Sequence, residues 1–290
     1  TELPMIVVNV QRAGPSTGMP TKVEQSDLLF TLYGRHGEAP LPVIAVQSPS
    51  DAFDVAVEAS RIATKYMTPV MLLSDGYIAN SSEPWRLPDS DDLPDNKVTY
   101  AAEPNGPDGT FLPYARNDDT LARPWAIPGT PGLEHRVGGL EKQNLTGNVS
   151  YNPLNHQLMT ELREEKLQRI AADIPLVEVH GPEDADLLVV GWGSTFGAIR
   201  AGVNNVNGGG AKVAHVHLRY LNPFPENLGD IVAGYPMVLV PELNRGQLSR
   251  LLRAEYLIPA LSYPKIEGIP FKASEISTKI LEILDTKDNS

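Results

Sequence analysis

Cysteine is missing from all 290 residues, which excludes disulfides, thiolate nucleophiles and any iron–sulfur cluster held by this chain's own ligands. If electrons are handled, the cluster that takes them belongs to another polypeptide. Long apolar runs are missing too. Stretches such as Met5–Val8 and Leu187–Val190 fall far short of the roughly 20 residues a bilayer span needs. Thr1–Pro4 lacks the basic-then-apolar pattern of a secretory leader, so a soluble, cytoplasmic protein with no membrane partner is expected. Basic residues are scarce: 24 Lys and Arg face 36 Asp and Glu, a net charge of −12. That surface repels nucleic acid phosphates, so no nucleic acid partner is expected, and its plain role is solubility. There is no initiator methionine and an apolar run already begins at residue 5. The sequence is therefore read as a piece that starts inside a domain.

What is present reads as alternating strands and helices. Met5–Val10, Leu41–Gln47 and Val70–Leu73 are short apolar runs of strand type. Between the first two, Thr21 and Glu24 have capping-box spacing, which predicts a helix over 22–33 ending at a left-handed Gly34. Ser50 and Asp51 offer caps for a helix reaching Tyr66, with Phe53, Ala56, Val57, Ile62 and Ala63 on its apolar face. Nine prolines between Pro84 and Pro131 break any long element across 81–150. The aromatics there, Trp85, Tyr100, Phe111, Tyr114 and Trp125, argue for an ordered arm on a neighbouring surface rather than disorder. A helix follows over about 155–172. The last third alternates again: strands at 187–190, 213–218 and 237–240, and helices after Ser194, before Ala233, over 247–256 and over 274–284. The fold class is α/β, two open, mostly parallel-sheet domains joined by a long irregular arm. The boundaries fall at 1–80, 81–180 and 181–290.

The densest chemical signal is Gln11-Arg12-Ala13-Gly14-Pro15-Ser16-Thr17-Gly18-Met19-Pro20-Thr21. It follows a strand and precedes the predicted helix, the position where open α/β sheets bind ligands. Gly14 and Gly18 permit close approach of backbone to a ligand, Ser16, Thr17 and Thr21 offer hydroxyls, and the helix start offers amides. Arg12 adds a planar fork suited to a carboxylate. Convergence of donors favours an anion site; the alternative is a tight connection with Arg12 merely on the surface. It is no Walker loop, because the glycine-lysine-serine/threonine ending is absent.

These residues carry a resemblance. Gly14-Pro15-Ser16-Thr17-Gly18-Met19-Pro20-Thr21, Gln25, Asp27-Leu28 and Gly34-Arg35-His36-Gly37-Glu38 resemble 2-oxoacid:ferredoxin oxidoreductase alpha subunits. So do Gln47-Ser48-Pro49-Ser50-Asp51, Leu73-Ser74-Asp75-Gly76, Ser82-Glu83-Pro84-Trp85, Gly132-Leu133-Glu134-His135, Gly191-Trp192-Gly193-Ser194 and the run from Glu242 to Leu248. The matches run in order along nearly the whole chain and look like the 2-oxoglutarate, KorA-type branch. The resemblance implies that 1–80 is the C-terminal part of a thiamine pyrimidine-binding domain and 181–290 a transketolase C-terminal-like domain. It implies that Arg12 holds the substrate's 1-carboxylate, with Ser16, Thr17 and Thr21 lining the same pocket and His36 approaching the cofactor. It implies the cofactors thiamine diphosphate, Mg2+ and a [4Fe–4S] cluster, the last two held by a beta subunit in an alpha2beta2 assembly. CoA is the implied co-substrate and ferredoxin the electron-accepting partner, and this polypeptide alone would be inactive. The same chemistry on pyruvate or branched 2-oxo acids is one alternative; a non-catalytic assembly or anion-binding module is another.

Lesser signals have plainer readings. His36 could equally satisfy a carbonyl at a helix end. His215 and His217 share a strand face, but without a third ligand a metal pair is not expected. Gly191-Trp192-Gly193-Ser194 lacks the third glycine of a dinucleotide fingerprint and reads as close packing. Glu242-Leu243-Asn244 reads as an interface or capping element.

Overall fold

A computed structural model describes residues 1–288 of the chain. The elements, in order, are β1 (Met5–Gln11), α1 (Leu28–Tyr33), β2 (Val43–Ala45), α2 (Asp51–Tyr66), β3 (Pro69–Asp75), α3 (Gly76–Asn80), β4 (Tyr100–Ala101) and β5 (Trp125–Ala126). There follow α4 (Pro153–Ala171), β6 (Leu187–Trp192), α5 (Phe196–Gly208), β7 (Val213–Leu218), β8 (Tyr220–Asn222) and α6 (Leu228–Ala233). The last are β9 (Val238–Glu242), α7 (Gln247–Tyr256), β10 (Leu261–Pro264) and α8 (Ala273–Asp288).

Two four-stranded sheets organise these elements, in the orders β1-β3-β2-β8 and β10-β9-β6-β7. Every pairing is parallel except β8 on β2, which runs antiparallel. The α/β reading with mostly parallel sheets therefore holds. Strand β8, too short to be expected from the sequence, comes from the last third yet completes the first sheet.

Alternate residues of the parallel strands feed opposite faces. Leu187 and Val189 pack with Ile199, Val203, Ile276 and Ile280 of α5 and α8 on the outer face of the second sheet. Leu188, Val190 and Trp192 turn inward to a core shared with Leu28, Val43, Ala45 and Leu73. The far face of the first sheet packs Ile44, Val70 and Leu72 against α2 and α4, through Val55, Ile62, Leu167 and Ile170. The two sheets are thus welded by one central core.

Several expectations need correction. Residues 22–27 are not helical: Thr21 has φ 63°, and α1 begins only at Leu28. The Glu24 carboxylate accepts from the Gly14 amide instead of closing a capping box. Tertiary hydrogen bonds outweigh the local signal here, since the Val23 amide donates to Gly268 O and that of Gln25 to Leu243 O. Gly34 has φ −79°, not a left-handed value. On α2 the buried apolar residues are Val55, Ala59, Ile62, Ala63 and Tyr66 at helical spacing, with Ala56 exposed. Strand β1 lies at the edge of the first sheet, and Met5, Val8 and Val10 are exposed.

The irregular stretch from 81 to 150 holds only short elements, as its prolines require. It is tied back to the rest of the chain by side chains. Asn96 donates to Val57 O, the Tyr114 hydroxyl to Thr1 O, and Arg116 pairs with Glu2. Glu2 also pairs with Lys166 of α4, so one nearly buried carboxylate joins β1's approach, the arm and the helix.

Candidate functional site: a pinned loop after the first strand

Strand alternation explains how Arg12 is presented. Gln11 and Ala13 are both 1% exposed while Arg12 between them faces solvent. Gln11 donates from Nε2 to Ser74 O at 3.2 Å and accepts from the Asp27 amide at 3.0 Å, fixing the strand's end. The Ala13 amide donates to Lys22 O at 3.0 Å and closes the neck of a compact loop. Inside it, Gly18 N donates to Pro15 O and Met19 N to Ala13 O.

Gly18 is required where it stands. It has φ +51°, and a Cβ there would lie 1.7 Å from Ala13 O. Ser16 at φ 57° and Thr21 at φ 63° also occupy the left-handed region, a strained state for hydroxyl residues that persists only where the surroundings enforce it. Arg12, Ser16, Thr17 and Thr21 thus share one rigid loop and are all exposed. No ion pair of the described residues engages the Arg12 guanidinium. This arrangement can grip a small anion.

The helix expected to open at Lys22 does not form, so it offers the loop no amides or dipole. The start of α3 lies beside the neck, a Cβ on Gly76 meeting Lys22 O at 3.2 Å, but its Tyr77 and Ile78 amides are taken by Asp75. The α1 start lies seven residues beyond Thr21 in the Leu28–Tyr33 helix, and its Leu29 amide is taken by Gln247 Oε1 at 2.9 Å.

His36 does not join this loop. It is exposed between Arg35 and Gly37, two residues lining a separate cleft of about 1230 Å³ with α4, α7 and the segment after β8. Satisfying the carbonyls of α1 falls to Arg35, which donates to Thr31 O, Leu32 O and Ala39 O. That removes the carbonyl-binding alternative for His36. The cleft carries Glu38, Glu161, Glu164, Glu226 and Glu255, and among its described lining residues the cation, Arg35, is occupied by backbone. It suits an anion poorly.

The carboxyl ends of the two sheets meet each other, and this stretch is where sequence reasoning saw least. Gln25 is 0% exposed. Its Nε2 donates to Trp192 O at 2.8 Å, its Oε1 accepts from the Leu243 amide at 3.0 Å, and its carbonyl accepts from Asn244 Nδ2 at 2.8 Å. Gly193, at φ +58°, exists to admit it: a Cβ there would sit 2.6 Å from Gln25 Nε2. The turn Gly191-Trp192-Gly193-Ser194 is therefore a packing element, filled by Gln25.

Glu242, also 0% exposed, caps α7 by accepting from the Leu248 amide at 2.7 Å and the Ser249 amide at 3.1 Å. Trp192 Nε1 and Asn244 Nδ2 donate to it as well. Burial pushes its carboxyl above the usual range, against the pull of those donors. Asp75 is likewise raised by burial while it caps α3 through the Tyr77 and Ile78 amides. Fully buried Gln, Glu and Asn beside strand ends were the available signal for this latch, and sequence reading took only the capping half of it.

His215 and His217 lie on one face of β7, as expected. Burial lowers His215 to about 2 and His217 to about 3, so both rings are neutral at ordinary pH. Arg200 Nε donates to His215 Nδ1 at 3.1 Å, and His217 Nε2 bonds Gly193 O at 3.1 Å. A guanidinium beside the pair disfavours a cation. Among the described residues no group of three His, Asp or Glu could hold a metal, and no helix is long and apolar enough to cross a membrane.

A family model described as pyruvate flavodoxin/ferredoxin oxidoreductase, thiamine diphosphate-binding, matches residues 1–150. The chain is 56% identical over 277 residues to the 2-oxoglutarate oxidoreductase subunit KorA of Mycobacterium tuberculosis, covering 95% of this chain and 42% of that protein. It is 33% identical to the alpha subunit of 2-oxoacid:ferredoxin oxidoreductase 2 of Aeropyrum pernix, covering 98% of this chain and 44% of that one. Among solved structures, it is similar to the 2-oxoglutarate:ferredoxin oxidoreductase of Magnetococcus marinus, solved with 2-oxoglutarate, coenzyme A and succinyl-CoA bound. The TM-score is 0.87 at 36% identity, covering 97% of this chain and 49% of that chain. The chain thus spans less than half the length of each of these relatives.

Proposed function

From the premise that the chain belongs to the thiamine diphosphate-binding family of pyruvate flavodoxin/ferredoxin oxidoreductases, we propose that it is part of the alpha subunit of a 2-oxoglutarate:ferredoxin oxidoreductase. The reaction joins a 2-oxo acid and CoA, with oxidised ferredoxin as acceptor, to give acyl-CoA, carbon dioxide and reduced ferredoxin. The observation that carries the reading is the exposed Arg12 guanidinium, engaged by no partner among the described residues, on a loop pinned at its neck. The names of the KorA and Magnetococcus relatives support 2-oxoglutarate as the acid.

In this reading Arg12 donates to the 1-carboxylate through a bidentate fork, and Ser16, Thr17 and Thr21 donate hydroxyls around it. Thiamine diphosphate, when bound, supplies the nucleophilic carbon and the electron sink for decarboxylation. The donors of the loop fit the anionic acid rather than the cofactor's diphosphate, whose Mg2+ is assigned to a beta subunit, as is the [4Fe–4S] cluster. His36 is kept as a residue approaching the cofactor, from outside the loop. The uncovered apolar residues of β1 run directly into the loop, which sets Arg12 at the margin of a surface suited to a protein partner.

The test is Arg12→Ala in the full-length alpha chain assembled with its partner subunit, assayed by ferredoxin reduction on 2-oxoglutarate, pyruvate and branched 2-oxo acids. Loss of a charged hydrogen bond of about 1.5–3 kcal/mol corresponds to roughly a ten- to hundredfold fall in rate or affinity. Unchanged turnover in an intact assembly rejects the assignment. Strongest wild-type turnover on pyruvate rejects 2-oxoglutarate as the acid.

A further inference from the structure

We propose that the second sheet sets the pose of Arg12, with Gln25, Asn244 and Gln247 as positioning residues for the 12–21 loop. This rests on the reading of Arg12 as the carboxylate contact. The stem that leaves the loop, residues 22–27, has no helix or strand of its own. Its first amide, Lys22, donates locally to Met19 O, but the placed amides beyond it are satisfied from farther away in sequence. Val23 donates to Gly268 O, Gln25 to Leu243 O, and Asp27 to Gln11 Oε1. Gln247 Nε2 then donates to Ser26 O at 2.7 Å, and its Oε1 takes the Leu29 amide.

Apart from Met19 and Gln11, every one of these partners belongs to the β9–α7 turn, to the first residue of α7 or to the segment after β10. The stem is fastened in turn to the loop's other leg by the bond from Ala13 to Lys22. Arg12 is one residue from that bond. A shift of the β9–α7 turn therefore reaches the guanidinium through two hydrogen-bonded steps, with no flexible segment between to absorb it. Gln25 is the residue best placed to transmit it. Its side chain spans Trp192 O and the Leu243 amide, while its main chain bonds Leu243 and Asn244. A substrate grip built on the first sheet is in this way indexed to the carboxyl end of the second.

The experiment uses the full-length alpha chain in its assembly. It compares wild type with Gln25→Met, which keeps length but loses both side-chain bonds, and with the milder Gln247→Ala. Hydrogen exchange is followed at the Ala13, Gly18, Met19 and Lys22 amides, together with KM for the 2-oxo acid and for CoA. Loop exchange about tenfold faster, with β6 and β9 still protected, is the expected result. It should come with a rise of about tenfold in KM for the 2-oxo acid and none for CoA. If Gln25→Met does not fold, Gln247→Ala decides by the same readings. Folded variants whose loop exchange or 2-oxo acid KM stays at the wild-type value overturn the inference. If Arg12→Ala still lowers turnover in that case, the functional reading survives it; if Arg12→Ala is silent, both fall.

Discussion

Replacing Gly193 by alanine tests how tightly the two sheets are joined. The backbone at Gly193 sits at φ +58°, which costs an L-residue about 1–2 kcal/mol. The new methyl would lie 2.6 Å from Gln25 Nε2, so the buried amide must move and surrender its bonds to Trp192 O and the Leu243 amide. Leaving such buried groups unpaired costs about 1–3 kcal/mol. The sum is about 2–5 kcal/mol. Gly37 provides the control: its φ is +84° with nothing within 4 Å of a Cβ, so alanine there meets backbone strain alone. Urea unfolding of the two variants, at equal m-value, reads the difference directly. If Gly193→Ala costs no more than Gly37→Ala, Gln25 is not held against that turn and the latch is wrong.

Two further outcomes are expected of the stability of this chain. Glu2→Gln strands Lys166 and Arg116, both nearly buried, and should cost about 3–5 kcal/mol, whereas Lys166→Met leaves a balanced pair and should cost under about 2 kcal/mol; denaturant midpoints of both variants check the order. The buried histidines set a pH dependence. Folded values of about 2 for His215 and about 3 for His217 lie below the unfolded 6.5. Stability is therefore full above pH 6.5 and falls as the pH drops toward those values, by up to about 1.4 kcal/mol per pH unit for each ring. Between pH 7 and 5 the stability of His215→Phe should fall less steeply than that of wild type if His215 is a source, and the two should fall in parallel if it is not.

The sequence made some elements plain and hid others for physical reasons. Continuous apolar runs marked β3 and β6, because strands buried on both faces need no polar alternation; β1 carries such a run too, although Met5, Val8 and Val10 are exposed at the sheet edge. The α7 limits, Gln247 to Tyr256, were readable to the residue. The stem at 22–27 was not, because Thr21 and Glu24 have helix-start spacing while the winning hydrogen bonds come from Gly268, Leu243 and Gln247, more than 200 residues away. Strand β8 offered three residues before a proline, too few for any pattern. For α2, counting apolar residues put Ala56 on the buried face; the spacing of 55, 59, 62, 63 and 66 shows where the helix faces the sheet. The 12–21 motif was legible as a segment. Its pinning by Gln11 and Gln25 was not, since nothing in a one-dimensional pattern says that two glutamines share a neck.

The most direct measurement is a structure of the complete assembly with a 2-oxo acid bound. The account expects both terminal nitrogens of Arg12 within hydrogen-bond reach of the acid's 1-carboxylate, with Ser16, Thr17 or Thr21 beside it. A keto acid bound elsewhere, with Arg12 still turned to water, would contradict it.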